Sequence, residues 1–224
     1  ELGITFTVSS EDGCLKIAAS GENGHASTPW KGKNALTGLL ALIERLPLAE
    51  CGQLKAVRAL NHLMPHGDWF GAGLGIQMSD EESGELTLAF SMLDISEKSL
   101  EGEFDSRCPI CATKENTIDV IRKNMEAEGI SFNTEELEPP HHVPADSDFV
   151  KTLLSAYESY SGRKGECIAI GGGTYVHHLK NGVAFGAAMP ETENNMHGPD
   201  EFAVIDELLM SAKIFAQVIT ELCC

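Results

Sequence analysis

Pro139-Pro140 and the polar run that follows to Ser147 constrain this chain most, because neither proline can join a helix interior or the centre of a sheet. The two sides of that break also differ in hydrophobic period. Upstream, Ile4, Phe6 and Val8 alternate, Glu11-Asp12-Gly13 turns the chain, and Leu15, Ile17 and Ala19 alternate again, which predicts a hairpin. Leu36, Leu39, Leu40, Ile43 and Leu46 then follow helical spacing until Pro47, and Leu54, Val57 and Leu60 predict a second helix ending near Pro65. Leu86 to Met92 and Leu100 to Phe104 read as two long strands, the second with Glu101, Glu103 and Asp105 on its outer face. A helix through Ile118, Ile121 and Met125 closes at Gly129, and Ile130 to Thr134 reads as a last strand. Strands segregated from helices in this way imply an antiparallel sheet with helices on one face.

Downstream of the prolines the pattern predicts a helix at Val150 to Tyr157, short apolar strands at Cys167 to Ile170 and Val183 to Phe185, and a final helix from Ile205 to Leu222. Wholly apolar strands between helices belong to a sheet covered on both faces. Two such strands cannot build that sheet, so the remainder of this domain is expected upstream of Glu1. The expected domains are therefore 1–139 and 140–224.

A net charge of −18, from 34 acidic and 16 basic side chains, argues against nucleic acid and anionic membranes as partners. No run approaches the ~20 apolar residues that cross a bilayer, and no export signal is legible. Seven cysteines, an odd and irregularly spaced set, fit a reducing cytoplasm. Cys108-Pro109-Ile110-Cys111 has redox or zinc spacing but no second pair to complete a zinc site, so two ordinary thiols are expected.

Four places could carry chemistry. His25 lies among small residues in Gly24-His25-Ala26-Ser27, directly after a strand; it is either satisfied in a turn or a donor to a developing oxyanion. Gly171-Gly172-Gly173-Thr174 follows an apolar run, as a tight turn or as a place where a substrate approaches the backbone. It matches neither phosphate-binding glycine pattern. His197 precedes the last helix, as a surface histidine or one metal ligand. Arg107 ends an acidic strand and serves either a surface ion pair or a substrate carboxylate, which a guanidinium grips with two parallel hydrogen bonds.

Taken in order, Gly24-His25-Ala26-Ser27, Asp105-Ser106-Arg107-Cys108-Pro109, Pro140-His141-His142-Val143-Pro144, Gly171 to Tyr175, Gly182 to Gly186 and Met196-His197 resemble the PepV-type zinc dipeptidases, within the wider group of zinc carboxypeptidases, aminoacylases and desuccinylases. The resemblance implies a ferredoxin-like α+β lid over 1–139 and the C-terminal α/β part of a two-zinc catalytic domain over 140–224, sometimes dimeric through the lid. It implies His25 as the oxyanion donor, Arg107, Gly172, Gly173 and Thr174 around a dipeptide, and His197 as the one zinc ligand carried here. The remaining ligands and the general base precede the lid in that family, so this stretch by itself is expected to be inactive and to hold zinc substoichiometrically. An aminoacylase or desuccinylase, or a non-catalytic dimerisation module, are the alternatives. His66-Gly67-Asp68 and Asp80-Glu81-Glu82 imitate the family's metal motifs but come after the His25 loop, so they are read as structural.

Overall fold

In β1 (Thr5–Glu11) and β2 (Cys14–Ser20) the register pairs Phe6 with Ala19 and Val8 with Ile17. Asp12 and Gly13 close the hairpin, both at positive φ (49° and 78°), the backbone that a two-residue turn matching strand twist demands. The structure is a computed structural model and describes residues 2–186, 188–196 and 199–224. They divide into two compact units: Glu1–Pro140 with Ala169–Gly172, and His141–Ile168 with Gly173–Cys224.

In the first unit, α1 (Ala35–Glu44) starts where the Asn34 side chain accepts the Thr37 amide at 3.1 Å, and α2 (Gly52–Leu63) begins after Cys51. Short β3 (Ser79–Asp80) and β4 (Gly84–Glu85) lead into β5 (Thr87–Ile95) and β6 (Leu100–Arg107), and α3 (Ile118–Ala127) follows. The apolar faces meet in one core of Leu40, Val57, Leu60, Leu63, Leu74, Ile76, Leu86, Leu88, Phe90 and Ile121. Leu60, 2% exposed, sits in that core on α2. Leu60→Ala is expected to cost about 2–5 kcal/mol, read as a lower urea midpoint with an unchanged slope.

The antiparallel pairs do not merge into one sheet: β1–β2, β3–β4 and β5–β6 are separate two-stranded ladders among the described residues. Loop residues occupy positions on β5 where a further strand would bond. The Leu88 amide donates to the Trp69 carbonyl at 2.8 Å, and the Phe90 carbonyl accepts from the Asn34 side chain at 2.7 Å. A register irregularity between Phe90 and Met92 adds to this. The strand expected at Ile130 to Thr134 is absent. Phe132 stacks on Phe104 with ring centres 5.9 Å apart, and Arg122 donates to the Thr134 carbonyl, so side chains rather than a ladder hold this segment.

In the second unit α4 (Asp148–Ser161) starts at a Ser147 cap and ends on Gly162, left-handed at φ 67°. It packs on α5 (Ile205–Cys223) through Leu153, Ala156, Ile214 and Val218. The strands expected at 167–170 and 183–185 do not form, and Ile168 is 81% exposed. A strand exists only through its ladder partners, and the described residues provide none for either segment. Helix α5 differs from expectation in its buried line, which runs through Ser211, Ile214 and Val218. α4 covers that side, while Ile205, Leu209 and Ile219 on the expected stripe are exposed.

Candidate functional site

The His25 loop is closed at its base by a pair of backbone hydrogen bonds between Glu22 and Lys33, 3.1 and 2.8 Å long. Glycine is required where its two limbs touch, because a Cβ on Gly24 would lie 2.9 Å from the Gly32 amide nitrogen. Buried Thr87 on β5 braces the loop by donating its hydroxyl to the Ala26 carbonyl at 2.9 Å. The exposed His25 ring turns back on its own loop: Nδ1 lies 2.7 Å from Ser27 Oγ and 3.2 Å from the Ser27 amide.

Arg107 stands at the end of β6 and donates through Nη2 to Asp105, two residues back on the same face, at 2.8 Å. That ion pair is the surface pairing the acidic strand suggested, yet it engages only part of the guanidinium. Nε is buried and has no hydrogen-bond partner among the described residues. A donor in that condition is costly unless something accepts from it.

Residues 169–172 group with this first unit, and the contact is tight: a Cβ on Gly171 would lie 2.9 Å from Ser27 Cβ and 3.3 Å from Arg107 Cβ. The absence of a side chain at Gly171 therefore brings the His25 loop and the end of β6 onto one glycine backbone. Gly172 and Gly173, which the family resemblance sets around a substrate, border open space: nothing would lie within 4 Å of a Cβ on either. Thr174 belongs to the second unit, where its carbonyl accepts the His177 amide at 3.1 Å. His197 lies outside the described residues. Gly171 lies within the glycine run that the sequence singles out, whereas Ser27 and Thr87 carry no assignment there; Ser27 has a local signal, its place two residues after the histidine.

The two imitation motifs are engaged structurally. The Leu2 carbonyl can only accept, so His66 Nε2 donates to it (2.9 Å), and Nδ1 lies 2.8 Å from the Thr37 hydroxyl. Asp68 accepts from the amides of Phe70, Ala72 and Gly73. Asp80 is held down at about 2, first by the Ser83 amide, then by the Ser83 hydroxyl and the amides of Cys111 and Glu82, with desolvation working the other way. A carboxyl lowered on folding adds stability above its ordinary value of 3.8, and this is lost as pH falls toward about 2. Asp80→Asn is therefore expected to lower the melting temperature at neutral pH, and by less as pH drops through that window. Equal losses at pH 7 and about pH 2 would remove this role.

Burial pushes the Cys108 thiol up, and desolvation with the nearby Asp80 carboxylate raises Cys111; neither forms a disulfide. Among the described residues no three histidine, cysteine or acidic side chains converge to hold a metal ion. No helix among the described residues is long and apolar enough to cross a membrane.

A glycine-held histidine loop beside a strand-end arginine is the local constellation. Residues 11–221 match the model for Peptidase family M20/M25/M40, and the chain belongs to that family. It is 37% identical over 213 residues to YtjP of Bacillus subtilis (strain 168), a protein named as a dipeptidase, covering 95% of this chain and 45% of that protein. To the Beta-Ala-Xaa dipeptidase of Lactobacillus delbrueckii subsp. lactis it is 33% identical over 224 residues, covering 99% of this chain and 46% of the relative. The chain thus spans about half the length of these curated relatives. A solved M20 family metallo-carboxypeptidase, Sso-CP2 from Sulfolobus solfataricus, aligns with 80% of this chain and 44% of its own at a TM-score of 0.45 and 17% identity.

Proposed function

We propose that this chain is the lid (1–139) and the C-terminal part of the catalytic domain (140–224) of a zinc-dependent dipeptidase. The observation that carries this reading is Gly171, against which both the His25 loop and Arg107 sit. The relatives named as dipeptidases support it.

In this reading His25 donates from its ring to the oxygen that becomes negative as the peptide carbonyl turns tetrahedral. A fixed donor outperforms water there because it needs no reorganisation when charge develops. Arg107 takes the free C-terminal carboxylate of the dipeptide, supplying an acceptor to a guanidinium that Asp105 engages only in part. Gly172, Gly173 and Thr174 line the substrate, their small side chains letting it approach the backbone. Closure over one small substrate excludes water and strengthens both contacts.

Zinc, when bound, would polarise the carbonyl and activate a water. The described residues offer no set of ligands that fits it, so no step here is routed through the metal. His197 is the ligand this chain would contribute, the others and the general base coming from elsewhere in the full-length protein. Localisation in the cytoplasm and dimerisation through the lid belong to the same proposal.

The purified chain is accordingly expected to carry well under one zinc per molecule and to leave dipeptides intact. Joined to the complementary half of a dipeptidase relative, it is expected to hydrolyse dipeptides with a free carboxylate in preference to N-acetyl or N-succinyl amino acids. Stoichiometric zinc in the chain alone, or a preference for acylated amino acids, would overturn the assignment.

A further inference from the structure

We propose that Ser27 is a positioning residue that holds the His25 imidazole in the tautomer carrying its proton on Nε2. This rests on the reading of His25 as an oxyanion donor, and it names what makes the ring a donor at the right nitrogen.

The Ser27 backbone N–H points at His25 Nδ1 over 3.2 Å, and an amide nitrogen can only donate. Nδ1 must therefore present its lone pair. With Nδ1 bare, the Ser27 hydroxyl 2.7 Å away is also a donor to it, and the single ring proton of the neutral imidazole resides on Nε2. Two donors from one residue thus face one nitrogen. The opposite tautomer would set an N–H against the Ser27 amide. An imidazole needs its proton fixed by the partner of its other nitrogen, and here that partner is two residues along the chain.

Ser27 is itself fixed. The Ala26 carbonyl before it accepts from buried Thr87 at 2.9 Å, and the Thr28 amide after it donates to the His25 carbonyl at 2.9 Å. Gly171 closes the far side, with no room for a methyl group against Ser27 Cβ. Gly171 thus packs against Ser27 and Arg107, which ties a sequence-distant segment to the residue beside the ring.

The test reads the ring directly and needs no catalysis. Long-range proton–nitrogen NMR correlations on the 15N-labelled chain at about pH 8, above the ordinary imidazole range, should show His25 with a pyrrole-like Nε2 and a pyridine-like Nδ1. Ser27→Ala, which keeps the amide but removes the hydroxyl at 2.7 Å, should move both nitrogens part of the way toward the averaged shifts of mixed tautomers, and Ser27→Thr should restore the parent pattern. Gly171→Ala, which deletes no polar group, should move them as Ser27→Ala does. A pyrrole-like Nδ1 in the parent chain, or a Ser27→Ala spectrum identical to it, overturns the proposal. In the full-length protein Ser27→Ala should lower kcat roughly tenfold with KM unchanged and Ser27→Thr restoring it. If His25→Ala leaves kcat unaltered while the tautomer pattern stands as described, the oxyanion reading fails and the role of Ser27 in holding the ring survives.

Discussion

His25→Ala in the full-length protein is expected to lower kcat by about 10²–10³, with KM and melting temperature nearly unchanged. The size follows from removing one preorganised donor from an oxyanion, a loss of roughly 3–4 kcal/mol that appears only in the transition state. Stability should hold because His25 is exposed and the loop is closed by groups the substitution leaves in place: the Glu22–Lys33 backbone pair, the Gly24–Gly32 contact and the Thr87 bond to Ala26. Steady-state kinetics on one dipeptide, beside a thermal melt of the same sample, separates the outcomes. An unchanged kcat returns His25 to an ordinary turn histidine.

Arg107→Ala is expected to lower kcat/KM for dipeptides about a hundredfold while costing C-terminally amidated substrates little. Truncating one member of a desolvated charge pair costs on the order of 2–5 kcal/mol, much of it from the partner charge left unpaired. An amide presents no such charge. Arg107→Lys should recover only part of the loss, since an ammonium is a point charge and cannot offer the planar fork. Asp105→Asn serves as the control for mere positioning, because it removes the charge of the acceptor 2.8 Å away and leaves the guanidinium. Comparing free-acid and amide forms of one dipeptide across the three variants gives the answer. Equal losses on both forms remove the carboxylate role and leave Arg107 as the surface partner of Asp105.

Much of the first unit was legible because its elements are decided locally. Asp12-Gly13 is a turn that few other pairs could make, Asn34 is a cap whatever lies beyond it, and the 3.6-residue repeat of Leu54, Val57 and Leu60 commits one helix face to a core. The segments at 130–134 and 167–170 were misread for the converse reason. Alternation or an apolar run says that a strand could pair, not that a neighbour is there to pair with. Phe132 meets Phe104 by ring stacking instead, and Ile168 faces solvent. On α5 apolar residues lie on more than one side, so periodicity could not say which side α4 would cover.

The candidate site divides along the same line. His25 and Arg107 stood out in the sequence because their chemistry is rare in their settings: an imidazole among glycines, a guanidinium ending an acidic strand. Family membership, too, was readable from motif order, which survives without any coordinates. Which glycine the His25 loop and Arg107 pack against was not readable, since Gly171, Gly172 and Gly173 are identical as letters and differ only in what a Cβ would strike. Nor were the brace from Thr87 to Ala26, 61 residues apart, or the partial pairing that leaves Arg107 Nε without an acceptor. The amino-acid order settles caps, turns and periodic faces because these are contacts between near neighbours along the chain. Tertiary structure alone selects among chemically equal residues, because close packing and hydrogen-bond satisfaction depend on partners that only folding brings within reach.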